Sequence, residues 1–159
     1  MLDEDLRELL ALFASHHVEF LVVGGHAVAF HGYPRFTEDL DLFVRADLAN
    51  AERVISALRE FGFGDIGLTT DDFVADDRVI QLGRAPNRVD LLTRLWGVDF
   101  AQAWLRRVPA KLDDMAVAFL SREDLISNKR ATARPQDLAD AAALEALGEA
   151  EAPGGDAEA

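Results

Sequence analysis

The sequence predicts one α/β (α+β) domain, a small mixed central sheet flanked by helices, with further helices at the C-terminal end. Three observations carry this. Half of the 159 residues are apolar, enough for one domain with a hydrophobic core. Short β-rich runs (EFLVV, DLDLFV, RVIQLG, RVDLLT) alternate with stretches of helical periodicity. Glycine and proline punctuate the joins between them.

Leu6, Leu9, Leu10 and Phe13 share one helical face, which predicts a helix over residues 3–16. Residues 19–23 read as a buried strand stopped by Gly24-Gly25. Residues 26–31 suit a short helix ending at Gly32, and 33–37 form a loop. Residues 39–44 are the second strand. Asp47 is a fitting cap for a helix through Glu60, with Val54, Ile55 and Leu58 turned inward. Gly62 and Gly64 close it, and residues 65–77 take no assignment. Residues 78–83 and 88–93 are short strands joined by a turn at Ala85-Pro86-Asn87. A helix covers 100–107, and 115–120 is an edge strand or an extended connection. Ser121, with Glu123 and Asp124 behind it, opens a helix to about Ala133. Pro135 opens the last helix, which continues to Leu147. The expected domain is residues 1–147, its sheet over about 18–95 and its C-terminal helical part over about 99–147. The remainder, 148–159, has no large apolar residue and is expected to be a disordered tail.

The net charge of −13 is unevenly distributed. Residues 1–77 carry 16 acids and 5 bases, residues 78–134 carry 11 bases and 6 acids, and the last 25 carry 7 acids and no base. So acidic a chain is a poor general binder of nucleic acid, although its basic middle can present a local patch to phosphate. There is no cysteine, which excludes disulfides and thiolate metal sites. No apolar run nears the ~20 residues of a membrane span, and the acidic N-terminus lacks the marks of a signal peptide. The expectation is a cytoplasmic protein with no membrane partner.

Asp39 and Asp41 raise the chemical question. At i and i+2 in a strand they project from one face, roughly 6.6 Å apart, while Leu40, Leu42 and Val44 fill the other. Two carboxylates so placed repel, and one takes up a proton unless a cation lies between them. Mg²⁺ suits such a site because it keeps several waters and shares its shell with substrate phosphates. Asp90, alone in the apolar run RVDLLT, is the candidate third carboxylate, and two metal ions would then be expected, with Mn²⁺ as a substitute. Gly24-Gly25, between a strand and a helix start, allows backbone to approach a phosphate closely. Arg35 and Thr37 could supply a guanidinium and a hydroxyl to the same phosphates.

Val23-Gly24-Gly25, then Arg35-x-Thr37-x-Asp39-x-Asp41, then Arg88-Val89-Asp90, resembles the polymerase-β-type minimal nucleotidyltransferase superfamily. The pattern is nearest its toxin-type members of the abortive-infection (AbiEii-like) class. The stretch from Glu123 to Lys129, followed by Arg134-Pro135-Gln136-Asp137 and Asp140, resembles the C-terminal helices of that group. The resemblance runs over about residues 19–144. It implies a nucleotidyltransferase-type fold and transfer of a nucleoside monophosphate from a nucleoside triphosphate to an acceptor hydroxyl, releasing pyrophosphate. It also implies that Asp39 and Asp41 bind both metals and that Asp90 binds the catalytic one and helps take the acceptor proton. Lys129 matches a lysine near the triphosphate, and Asp137 a functional aspartate on the following helix. The acceptor is left open among an RNA 3′ end, a protein and a small molecule, and a cognate antitoxin is an implied partner.

The alternative is a nucleotide- or partner-binding module that keeps the fold without turnover. His26 and His31 are read as structural. Trp96 and Trp104 are read as packing residues, with a base-stacking platform as the second reading. Asp137 and Asp140, at i and i+3, share a helix face and can pair with Arg134 or Lys129.

Overall fold

The computed structural model describes residues 2–34, 36–37, 39–64, 66–84 and 88–157, with side chains described as far as Glu149. Helix α1 (Glu4–Ser15) is capped by Asp3, whose side chain accepts from the Leu6 N–H, and it buries the predicted stripe Leu6, Leu9, Leu10 and Phe13. Strand β1 (Phe20–Val23) is buried throughout. It passes directly into α2 (Gly24–Phe30), so the glycine pair forms the first turn of that helix rather than a separate turn before it. Strand β2 (Leu40–Val44) follows, then α3 (Leu48–Phe61), where Asp47 caps the Asn50 N–H as expected.

The unassigned acidic stretch contains a short helix, α4 (Thr70–Val74). Asp72 reaches back to accept from the Thr69 N–H at 2.9 Å, and Phe73 is fully buried. Strands β3 (Val79–Leu82) and β4 (Val89–Leu92) pair antiparallel; the turn expected at Ala85-Pro86-Asn87 lies outside the described residues. Helix α5 (Phe100–Leu105) is followed by β5 (Val108–Leu112) and β6 (Met115–Phe119), an antiparallel pair.

The sheet has six strands in the order β3-β4-β2-β1-β6-β5 and is mixed. β1 runs antiparallel to β2 and parallel to β6, while β2 runs parallel to β4. This corrects one alternative for residues 115–120: β6 lies inside the sheet and β5 is the edge strand. β5 eluded the sequence because it contains Pro109 and Lys111, which are compatible with a strand chiefly at a sheet edge.

Leu40, Leu42 and Val44 of β2, with Val89 and Leu91 of β4, are buried on one face and join a core that includes Phe13, Val54 and Leu58. By alternation, Asp41 and Asp90 point to the opposite face. Helix α6 (Arg122–Thr132), capped by Ser121, packs against α7 (Pro135–Ala157). The sequence reading ends the last helix at Leu147; the structure carries its backbone on to Ala157. Among the described residues no helix is long and apolar enough to cross a membrane.

Candidate active site

The parallel pairing of β2 with β4 sets Asp41 opposite Asp90, and the antiparallel pairing with β1 sets Val23 opposite Asp41. Two acids from separate strands and the start of α2 therefore meet at one place. Asp39 stands just before β2, and Arg88 just before β4, the neighbouring strand. The Leu40 N–H donates to the Arg88 carbonyl at 3.0 Å, which holds the two strand starts together.

Gly24 lies beneath Asp41 with φ +68°; a Cβ there would run into Asp41 Oδ2 and stand 3.0 Å from its Cγ. Any side chain at this position would displace the carboxylate. A Cβ at Gly25 would lie 2.9 Å from Thr37 Cβ and Oγ1. Thr37 Oγ1 donates to the Asp39 carbonyl at 3.2 Å, so this hydroxyl holds the loop that delivers Asp39. Arg35 lies outside the described residues.

Burial pushes the Asp41 carboxyl up to about 6, with Asp90 and then Asp39 adding repulsion and Arg88 and Lys129 opposing it. Asp90 is also raised, by burial first; Arg88 counters this and Asp39 adds to it. The Arg88 guanidinium donates from Nη2 to Asp39 Oδ2 at 2.7 Å and to Asp90 Oδ2 at 3.3 Å. Its Nε is 3.1 Å from Asp90 Oδ1 yet poorly aligned, so both buried atoms lack a hydrogen-bond partner.

A cleft of about 440 Å³ opens over this face, lined by Gly24, Asp41, Asp90, Lys129, Arg134 and Asp137 among others. Lys129, on α6, reaches it only 11% exposed. Its Nζ is 3.3 Å from Asp140 Oδ2 and 3.6 Å from Asp137 Oδ1, both on α7. The cleft thus sets the sheet carboxylates Asp41 and Asp90 opposite a helical side on which Lys129 and Arg134 are paired with Asp137 and Asp140.

A family model described as a nucleotidyltransferase of unknown function (DUF6036) matches residues 1–152. The chain belongs to that family. Two solved structures share the fold. The solution structure of the antibiotic-resistance factor ANT(2'')-Ia has a TM-score of 0.54 at 15% identity, covering 90% of this chain and 80% of that one. The crystal structure of an antigenic nucleotidyltransferase-like protein from Paracoccidioides brasiliensis has a TM-score of 0.51 at 16% identity, covering 92% and 78%. A comparison with curated proteins finds no match.

In this family member, Asp39, Asp41, Asp90, Gly24 and Gly25 come together as expected from the sequence, and Lys129 and Asp137 close on the same cleft from the helical side. Asp137 is committed to its neighbours. Arg134 donates to it through Nε at 2.7 Å and Nη2 at 3.2 Å, and those bonds foremost hold its carboxyl down to about 2. It therefore works as an anchor for Lys129. Asp140, fully buried, is the second anchor, and the i, i+3 spacing signalled that pairing. Arg88 had no role assigned to it; its signal was the i, i+2 spacing from Asp90, which puts both on one face.

Among the described residues no group of three acids or histidines stands at the spacing of a metal shell. The donor chemistry nevertheless fits a hard divalent cation. The donors are all carboxylate oxygens, two of the carboxyls are raised in pKa, and Asp90 Oδ1 is buried without a hydrogen bond. The guanidinium of Arg88 pairs with two of these carboxylates, Asp39 and Asp90.

Proposed function

We propose that this nucleotidyltransferase family member is an active enzyme that transfers a nucleoside monophosphate from a nucleoside triphosphate to an acceptor hydroxyl. The observation that carries the reading is the register of Asp41 against Asp90, directly over Gly24, in a cleft faced by Lys129. Asp39, Asp41 and Asp90 would hold Mg²⁺ ions, with Mn²⁺ as a substitute. Bound there, the metal supplies charge neutralisation at the reacting phosphate and the leaving pyrophosphate.

The chain's own residues do the rest. Gly24 and Gly25 let backbone approach the triphosphate. Lys129, and Arg134 beside it, present positive charge to the phosphate oxygens, and Arg35 and Thr37 would add a guanidinium and a hydroxyl to the same phosphates. The acceptor oxygen attacks the α-phosphorus, the bond to the β-phosphate oxygen breaks, and pyrophosphate leaves. Asp90, as the resemblance implies, would help take the acceptor proton.

The acceptor is an RNA 3′ end, a protein or a small molecule. The run Lys129, Arg134, Asp137 and Asp140 supports the AbiEii-like subtype and with it a toxin role opposite a cognate antitoxin. We place its work in the cytoplasm, where nucleoside triphosphates are made. One observation favours the second reading, a binding module without turnover: Arg88 already pairs with Asp39 and Asp90, two of the three carboxylates a metal would need.

Incubation with Mg²⁺ and each labelled triphosphate, with and without total tRNA or protein, separates the two. Enzyme activity appears as label on an acceptor that vanishes in the Asp39→Ala, Asp41→Ala double variant. Nucleotide binding with no pyrophosphate release supports the module, and labelling that survives the double change overturns the site.

A further inference from the structure

We propose that Trp96 is a stacking platform for a nucleobase on the wall of the cleft that holds Asp41 and Asp90. The inference rests on the nucleotidyl-transfer reading and adds to it the part of the ligand farthest from the carboxylates.

Trp96 is 55% exposed, while its backbone is held tightly. Its carbonyl accepts from the side chain of the buried Asn128 at 2.9 Å. The next residue, Gly97, has φ +77°, and a Cβ there would stand 2.8 Å from both the Ser127 carbonyl oxygen and Ala131 Cβ. Leu95 and Val98 close the turn with a β-bridge. This turn is seated hard against α6, so the indole is held out by a rigid base. A tryptophan kept for packing would bury its ring, since that is where most of its stabilising surface lies. Here the backbone is built in and the ring is left out.

The Arg94 guanidinium lies 4.5 Å from the indole centre. With the guanidinium over one face of the indole, the other face can take the π face of any base while the cation attracts the attached phosphates. The position fits as well. Arg94, Leu95 and Trp96 form the shared wall between the cleft holding Asp41, Asp90 and Lys129 and a second cleft of about 590 Å³ that runs past Thr93 to Arg45 and Phe43. A nucleotide whose phosphates lie by Lys129 can lay its base on this wall. The ring belongs either to the donor triphosphate or to an oligonucleotide acceptor; the recognition chemistry is the same.

The chain has two tryptophans, so in the Trp104→Phe protein Trp96 is the sole indole reporter. Three probes are titrated in Mg²⁺: a non-hydrolysable ATP analogue, a short single-stranded oligonucleotide and inorganic tripolyphosphate. Binding is read by indole quenching and by melting temperature. The expected result is quenching by a base-bearing probe and none by tripolyphosphate. Trp96→Leu should weaken that probe roughly tenfold or more and leave tripolyphosphate unchanged. Quenching by the analogue assigns the donor base, and quenching by the oligonucleotide the acceptor base. Equal affinities in Trp96→Leu, with tripolyphosphate still bound, overturn the platform alone. If neither tripolyphosphate nor the analogue binds, the nucleotidyl-transfer reading falls and takes the platform with it.

Discussion

Arg88 donates to Asp39 Oδ2 at 2.7 Å, across 49 residues of chain, while its Nε comes within 3.1 Å of Asp90 Oδ1. One guanidinium is thus shared by two carboxylates from neighbouring strand starts. It relieves the repulsion among the three acids and competes with any ion that would do the same.

Replacing Arg88 by Met should therefore tighten binding of Mn²⁺ alone, by about tenfold, since a charge-assisted hydrogen bond is worth about 1.5–3 kcal/mol. Titration of free Mn²⁺ by electron paramagnetic resonance in the absence of nucleotide measures this. Unchanged or weaker binding would show that Arg88 is no competitor.

Asp41 sets a pH dependence. Its carboxyl is raised from 3.8 to about 6 in the folded state. Between about pH 4 and 6 the unfolded chain has released a proton that the native state still holds, so this group lowers stability as pH rises through that window. Asp41→Asn should melt higher than wild type at pH 7 in chelator. The advantage should shrink as pH falls below 6 and vanish below 4. A difference in melting temperature that is flat from pH 4 to 8 would contradict the raised value.

Gly24 and Gly62 both adopt positive φ, at +68° and +109°, but only Gly24 has an obstacle where a Cβ would go; Gly62 has nothing within 4 Å. Gly62→Ala should cost only backbone strain, about 1–2 kcal/mol. Gly24→Ala should cost more and should abolish the rise in melting temperature caused by Mg²⁺ with triphosphate. Urea unfolding of the two variants side by side gives the comparison, and equal costs would show that Asp41 can move aside freely.

Lys129 faces two acids that are almost wholly buried, Asp137 at 1% and Asp140 at 0% exposure. Lys129→Met leaves them without that cation and should destabilise by about 3–5 kcal/mol. Adding Asp140→Asn to Lys129→Met should recover part of the loss, because it removes one of the buried charges. Urea titrations of the two singles and the double variant test the coupling; strictly additive effects would mean that the pair at 3.3 Å carries no energy.

Much of the site was legible because it is local. The spacing of Gly24 from Asp39 and Asp41, the apolar flanks of those acids and the Ser121 and Asp47 caps are properties of short stretches, and the structure places them in the expected elements. Two elements escaped for local reasons as well. α4 is too short and acidic to show a periodicity, and β5 contains a proline. Arg88 was within reach, since alternation alone puts it on the face of Asp90. The fastening of Trp96 by Asn128 had no such signal, because the two lie 32 residues apart and on different elements.

Alternation of polar and apolar residues, helix periodicity and capping belong to the sequence by itself, because each depends on neighbours within a few positions. They determined the kinds of element and put Asp39 and Asp41 together. Which strand lies beside which, and in what register, depends on contacts between distant segments whose closure entropy is offset only by the whole buried core. That step, made only in three dimensions, set Asp90 opposite Asp41, drew Arg88 between the acids and brought Lys129 over them from the helical side.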